Sequence, residues 1–278
     1  MKKNLFISAM FAFISIMAGA HSVSVDSLSQ TCKVLLDVSR HQGDIDFTQV
    51  VSPTVKWVYV KATEGKTYTD PKFVMNTRAA QAAGMKVGAY CFFSEKSSAL
   101  AQAEHFLETI QLVDLDLIPV LDVEVRQEYT PEQLCDSMQV FLDCVEAAIG
   151  CKPMIYASET FYKHFLHDAF GESGYPLWIA KYSGVPDVKA DVTLWQSSNQ
   201  GIVSGITTAV DVSVFMNDHR PRDIKMPDKR KPSGSGKKKS SKDGKKSSRI
   251  SGKSPSVTQH EKRGQVKMSS DNQQLFSI

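Results

Sequence analysis

Ile118-Pro119-Val120-Leu121-Asp122-Val123-Glu124-Val125 decides how this chain is read. The run is apolar and β-branched and ends in two carboxylates, so it predicts a buried strand. Successive strand side chains point to opposite faces, which places Asp122 and Glu124 on one face, roughly 6–7 Å apart along the strand. No basic residue follows until Arg126. Burying one unpaired carboxylate costs several kcal/mol, and burying two like charges costs more. A purely structural strand avoids that arrangement, whereas a site for acid–base chemistry can use it. Taken alone, the eight residues are equally compatible with an ordinary strand end carrying two solvated acids, so the rest of the chain has to decide.

Working outward, other apolar runs alternate with helical patterns. Val34–Val38, Val55–Ala62, Val87–Phe93, Pro153–Ala157, Pro176–Ala180, Val192–Gln196 and Ala209–Val214 read as further strands, giving eight with the opening run. Helices are predicted over Pro71–Ala83, with Asp70 as N-cap, over Ser97 or Ser98 to about Leu112, and over Glu159–Phe170. Thr130-Pro131-Glu132-Gln133 has the form of a capping box that opens a helix carrying Leu134, Met138, Phe141, Leu142 and Val145, closed by Gly150. Alternating strands and helices imply parallel βαβ units. The last strands lack long intervening helices. The fold class expected is therefore α/β, an irregular eight-stranded (β/α) barrel, TIM-like, with an incomplete outer helix ring, over residues 31–218.

The termini read differently. Lys2 and Lys3, an apolar run from Leu5 to Met17, and Ala18-Gly19-Ala20 form the three parts of a secretory signal peptide, residues 1–20. The apolar core is shorter than the roughly 20 residues a membrane span needs, so an exported protein is expected. The chain's net charge of +3 conceals a division. From Arg220 onward there are 17 Lys+Arg and 5 Asp+Glu, whereas Met1–His219 holds 16 and 25. Residues 221–278, rich in Lys, Ser and Gly, are expected to form a disordered basic tail that cannot bury enough apolar surface to offset its ordering entropy. The tail has no aromatic residue before Phe276, so base stacking has no support and no specific nucleic-acid partner is expected. An anionic cell-wall or lipid surface is the partner its charge suits, and a solvated linker with no partner is the alternative. A monomer is the default.

Five cysteines, Cys32, Cys91, Cys135, Cys144 and Cys151, leave at least one thiol unpaired. Cys135 and Cys144 fall on opposite faces of one helix, beyond disulfide reach. A Cys144–Cys151 bridge is possible. The spacings match no zinc motif, and small buried residues are the simpler reading.

In a parallel α/β barrel the site lies at the C-terminal ends of the strands. Acids collect there: Asp37 closes the first strand, Glu64 follows the second, Asp122 and Glu124 close the fourth, and Asp211 lies in the eighth. Barrel closure makes Asp37 and Asp211 neighbours. Aromatics collect at similar positions: Tyr90, Tyr156, Trp178 and Trp195, with Tyr182 just beyond. Each alone reads as core. Together with the acids they suggest a groove for sugar rings, whose apolar faces stack on aromatic rings.

These residues fall in motifs that resemble the glycoside hydrolase family 25 lysozymes. Leu36-Asp37-Val38-Ser39 with Gln42-Gly43 and Ile45-Asp46-Phe47 is similar to the family's opening motif. Val60-Lys61-Ala62-Thr63-Glu64-Gly65, Gly88-Ala89-Tyr90-Cys91-Phe92-Phe93 and Pro119–Glu124 continue the likeness. So do Ile155–Ser158, Leu177–Tyr182, Leu194-Trp195-Gln196-Ser197-Ser198, Val203–Ile206 and Val210–Val212. The likeness runs in order from about Lys33 to Met216. Cys91 departs from the family pattern, which usually has His or another polar or aromatic residue there; the departure bears on local pocket chemistry and not on the catalytic pair.

The resemblance implies an N-acetylmuramidase that cleaves the β-1,4 bond after N-acetylmuramic acid in peptidoglycan. It implies Glu124 as general acid, its pKa raised by Asp122 and by burial, and Asp122 as the ionised partner. Asp37 and Asp211 would hold substrate or orient Asp122, with Glu64 supporting the network. Tyr90, Tyr156, Trp178, Tyr182, Trp195 and Gln196 are the substrate-binding candidates. No cofactor and no metal is expected.

The mechanism stays open at this stage. A carboxylate gap of about 5–5.5 Å marks a retaining enzyme and about 6.5–9.5 Å an inverting one, and the Asp-x-Glu spacing falls near the boundary. The third route is attack by the substrate's own N-acetyl carbonyl, with Asp122 positioning the amide; it is the one favoured. Two other classes compete. One is a peptidoglycan-binding protein that keeps the fold without the activity. The other is a metal-dependent hydrolase, for which convergent His ligands are lacking.

Overall fold

The computed structural model describes residues 23–25 and 33–227. The expected signal peptide, most of the basic tail and Cys32 lie outside the described residues. Ten strands are described: β1 (Val23–Ser24), β2 (Val34–Val38), β3 (Val55–Glu64), β4 (Tyr68–Thr69), β5 (Lys86–Phe92), β6 (Val120–Asp122), β7 (Met154–Ser158), β8 (Leu177–Ala180), β9 (Val192–Ile202) and β10 (Val210–Phe215). Eight close into a barrel in the order β9-β10-β2-β3-β5-β6-β7-β8, with β8 pairing back to β9. β9 outruns β8, and Gly201–Ile202 near its end take β1 as a parallel partner. β4 pairs antiparallel with the end of β3.

The expectation of parallel strands holds for seven of the eight. β10 is antiparallel to both β9 and β2. The reason is local: only the short connection Val203–Ala209 joins β9 to β10, and a parallel crossover needs a dozen residues or more.

Helices cover part of the outer surface. They are α1 (Phe47–Val50), α2 (Phe73–Ala82), α3 (Ala99–Ile110), α4 (Pro131–Ile149), α5 (Glu159–Phe161) and α6 (His167–Phe170), with a π-helical turn, Tyr162–Leu166, between the last two. The capping box forms as the sequence predicts: Thr130 accepts from the Gln133 amide at 3.3 Å, and Gln133 Oε1 accepts from the Thr130 amide at 2.9 Å. Gly150 ends α4 with φ 79°. α2 starts two residues later than predicted. Asp70 is not its cap; its two carboxylate oxygens accept the amides of Arg40 (3.0 Å) and Lys72 (2.9 Å) instead, tying the loop after β2 to this turn. None of the described helices is long and apolar enough to cross a membrane.

Strand alternation splits the core in two. Outward-facing residues such as Leu36, Val58, Ala89, Leu121, Ile155 and Ile179 pack with Phe106, Phe141 and Leu142 of the helices. Inward-facing Leu35, Tyr59, Val120, Met154, Trp178 and Leu194 fill the barrel. Among the outward residues is Cys91, fully buried in the core on the helix side, where it lines neither cavity at the mouth of the barrel. Cys91, Cys135, Cys144 and Cys151 are all free thiols, so no Cys144–Cys151 bridge forms.

The barrel floor is closed by the segment assigned from sequence to the tail. Pro221–Ile224 form a 3-10 turn, Ile224 is fully buried among the inward residues, and its carbonyl accepts the Ile118 amide at 2.9 Å. The Met226 amide donates to Asp116 O at 2.9 Å. The packed fold therefore extends about six residues beyond the expected boundary, because one apolar side chain in a polar stretch finds the open end of the barrel.

Gly88 is fixed by the same interior. A Cβ there would lie 2.1 Å from Tyr59 Cε1, so only glycine lets the Tyr59 ring cross the barrel and donate its hydroxyl to Ile118 O at 3.0 Å. Gly88→Ala is expected to cost about 1–3 kcal/mol through overpacking, seen as a lowered midpoint in thermal unfolding; an unchanged midpoint would show that the ring has room to move.

Candidate active site

The C-terminal ends of the parallel strands surround an open cavity of about 360 Å³. Asp37, Tyr90, Asp122, Glu124, Tyr156, Trp178, Tyr182, Gln196 and Asp211 all line it. Nine of the eleven residues singled out from sequence thus meet in one place. An adjoining cavity of about 270 Å³ shares its acidic wall and continues past Ser39, His41, Lys61 and Phe92.

Each acid arrives by a simple backbone device. Asp37 and Asp122 sit at inward positions near the ends of β2 and β6. Asp211 is second in β10, and it reaches the same mouth only because β10 runs the other way: it is the register partner of Asp37. Glu124 lies two residues beyond β6, on the same side as Asp122, where the chain has left the ladder and begins the loop to α4.

Asp122 is 6 % exposed, and its Oδ1 has no donor. Its carboxyl approaches that of Glu124 closely enough to hydrogen-bond once one of them carries a proton. Burial, then the Glu124 charge, push Asp122 well above the usual carboxylate range. Glu124 keeps an exposed outer edge at the rim. Burial of its inner side raises it too, while the hydrogen bond from Asp122 and the charge of Lys61 hold it down. The expectation that Asp122 raises Glu124 is thus corrected: burial raises Glu124, and Asp122 acts as its donor. The two carboxyls are coupled and titrate as a pair. Asp37 is also raised well above its ordinary value, by burial first and Asp211 second, and Asp211 is pushed up to about 6 by burial and by Glu124.

Polar side chains on the opposite wall form a chain of contacts. Tyr156 and Tyr182 each donate to Gln196 Oε1, at 2.9 and 2.8 Å, and Gln196 Nε2 donates to Asp37 Oδ2 at 3.1 Å. Trp178 is 2 % exposed; it forms the floor between Tyr59 and Tyr156, with Nε1 donating to Ser213 Oγ at 3.0 Å. Tyr182 is 41 % exposed, the aromatic ring here most open to a ligand.

Two candidates are placed elsewhere. Trp195 faces outward into the helix-side core, one residue out of phase with Gln196, and its Nε1 donates to Lys181 O at 2.7 Å. It fixes the backbone that leads to Tyr182 rather than contacting the cavity. Glu64 points to the exposed side of the β3 end and pairs with Lys61 Nζ at 2.7 Å. Lys61, which sequence reasoning left without a role, is the cation of the site: it lies 4.9 Å from the Phe92 ring centroid, and its charge acts on both Asp122 and Glu124. Its inward phase with Trp57 and Tyr59 was the available signal. Gln42 also lines the cavity, held by the Ser39 amide on its Oε1 at 2.8 Å.

Four acids sharing one cavity make the site costly to fold at neutral pH. Asp211 is raised in the fold above its ordinary 3.8, so the folded state binds more protons than the unfolded state between about pH 4 and pH 6, and stability falls as pH rises through that window. Asp211→Asn is expected to stabilise the protein by roughly 1–3 kcal/mol at pH 7 and by nothing near pH 4. Thermal unfolding of both proteins at the two pH values checks this, and an equal difference at both would contradict it.

Comparison with known proteins agrees with this geometry. Residues 36–206 match the family described as Glycosyl hydrolases family 25. An uncharacterized protein of Escherichia coli strain K12, YegX, is 37% identical over 187 residues, 65% of this chain and 68% of that protein. The autolytic lysozyme of Clostridium acetobutylicum is 34% identical over 181 residues, 65% of this chain and 55% of that one. A family 25 glycosyl hydrolase from Bacillus anthracis superposes with a TM-score of 0.64 at 28% identity, covering 72% of this chain and 96% of that structure. With the matched segment spanning more than half of the chain and the acidic cavity at the mouth of the barrel, the chain belongs to glycosyl hydrolase family 25 and is a glycoside hydrolase.

Proposed function

We propose that this glycoside hydrolase is an exported N-acetylmuramidase that cuts the β-1,4 bond between N-acetylmuramic acid and N-acetylglucosamine in peptidoglycan. The observation that carries the reading is the Asp122–Glu124 pair, two coupled carboxyls, both raised by burial, at the edge of an open polar cavity. The lysozyme relative and the family support the substrate class.

In this reading the proton of the pair passes from Asp122 to Glu124, which, at the rim, gives it to the leaving glycosidic oxygen as the C1–O bond breaks. The substrate's N-acetyl carbonyl oxygen attacks C1 from the other face. Asp122, then ionised, accepts the amide N–H and balances the positive charge of the cyclic intermediate. Water attacks C1 and gives a proton to Glu124 as the bond from C1 to the carbonyl oxygen breaks, which restores the N-acetyl group. Asp37 and Asp211 hold Asp122 and the sugar hydroxyls, and Gln196 with Tyr156 and Tyr182 supplies a preformed wall of donors and acceptors.

Mass spectrometry of digested cell walls is expected to show N-acetylmuramic acid at the reducing ends. Reducing-end N-acetylglucosamine would defeat the proposed specificity. Glu124→Gln should lower kcat by about 10²–10⁴-fold, the usual contribution of a general acid. Rapid NMR of the first product should show the anomer retained, and an inverted product would sink the substrate-assisted route.

The signal peptide in residues 1–20 supports export. The basic segment after Met226 is proposed to hold the enzyme on anionic wall polymers or lipid. A chain ending at Met226 should lose salt-sensitive retention on cell walls, and unchanged retention at low salt would refute the anchor.

A further inference from the structure

We propose that Glu95 is the positioning residue for the general acid, acting through the loop that follows Glu124; the inference rests on the reading of Glu124 given above. Glu124 lies outside the ladder, so strand pairing does not fix its backbone. What the next residues do is organised from a different loop. One carboxylate oxygen of Glu95, Oε2, accepts three consecutive backbone N–H groups, those of Gln127 (3.0 Å), Glu128 (2.5 Å) and Tyr129 (2.9 Å). Three convergent amides form an anion-binding concavity of the kind that favours a full negative charge. Although burial alone would raise Glu95, these amides, with Arg126 beside them, hold its carboxyl below the usual range, so it stays ionised at neutral pH. Its other oxygen, Oε1, is buried with no partner, a cost an ordinary surface loop has no cause to carry.

The clamp is itself anchored. Gln102, fully buried in α3, accepts the Ser94 amide at 2.9 Å and donates to Ser94 O and Ser97 O at 2.8 and 2.9 Å, fixing the turn that presents Glu95. On the far side Arg126 donates to Tyr129 O at 2.7 Å and lies 4.7 Å from the Phe165 ring centroid. Residues 126–129 are thus held from both sides, directly after the catalytic side chain and before the Thr130 cap that starts α4. The groups facing Glu124 itself are Asp122, Lys61, Asp37 and Asp211. Glu95 contacts none of the reacting atoms, so its effect is on where Glu124 stands relative to Asp122.

Three substitutions in the full chain test this. Glu95→Ala removes the acceptor and is expected to lower kcat by about 10–100-fold, the scale of a misplacement near 1 Å, with KM within about twofold. It should also move the limb of the pH–rate profile set by the Asp122–Glu124 pair by about half a unit or more. Glu95→Gln keeps a carbonyl oxygen for the amides and is expected to recover most of the rate. Should the alanine variant fail to fold, Glu95→Asp, which withdraws the acceptor by one methylene, carries the same expectation in kcat and pH limb. A lowered melting temperature with kcat and pH limb at wild-type values, measured on folded protein, would overturn the proposal and leave Glu95 a purely structural residue. Glu124→Gln is assayed alongside. If it stays active, the reading of Glu124 fails; if it is inactive while the Glu95 variants match wild type, only this inference fails.

Discussion

The pairing of β10 with β2 is the constraint on which the site depends. It joins the last strand of the barrel to the first, and it does so antiparallel. Asp211 therefore lies opposite Asp37 at the mouth, although one is near the start of its strand and the other near the end. Remove the reversal and Asp211 would sit at the barrel floor, among apolar side chains, with no acid beside it. Closure of the barrel and assembly of the acidic cluster are one event, since both come from the same register.

That cluster is held against its own repulsion. Asp37, Asp122 and Asp211 are all raised, and Lys61 is the cation whose charge opposes the shift at Asp122. Burial in an open cavity is a compromise between two limits. Full solvation would return every carboxyl to its ordinary pKa and leave no acid protonated near neutrality. Full enclosure would exclude a polymer. The rim position of Glu124, with one side against Asp122 and the other toward solvent, falls between them. The stability given up there is supplied by the two apolar layers on either side of the strand wall.

Much of this was legible in the sequence. All eight barrel strands were found, because β-branched runs bounded by turn residues and interleaved with 3.6-periodic stretches have few other readings. Caps such as Thr130–Gln133 and Gly150 are local and were read locally. What failed was phase and direction. Trp195 and Gln196 are adjacent, and a strand sends them to opposite faces. No composition rule says which goes inward until the neighbouring strand sets the register, so both were taken as candidates when only the amide lines the cavity. The direction of β10 was available from the brevity of Val203–Ala209 but was hidden by the regularity of the preceding units. Glu95 and Ile224 carried no motif at all: each acts on a segment distant in sequence, and only the fold brings the two together.

Ile224 has a wider meaning for how a polymer meets this protein. With Leu35, Tyr59, Trp178 and Leu194 filling the interior and Ile224 sealing the far end, the barrel is a cup and not a tube. A glycan strand cannot thread it; it must lie across the rim, entering and leaving on the same side. Such a vessel needs no free chain end to begin work. The interior of a long polymer can reach such a rim as readily as its end can.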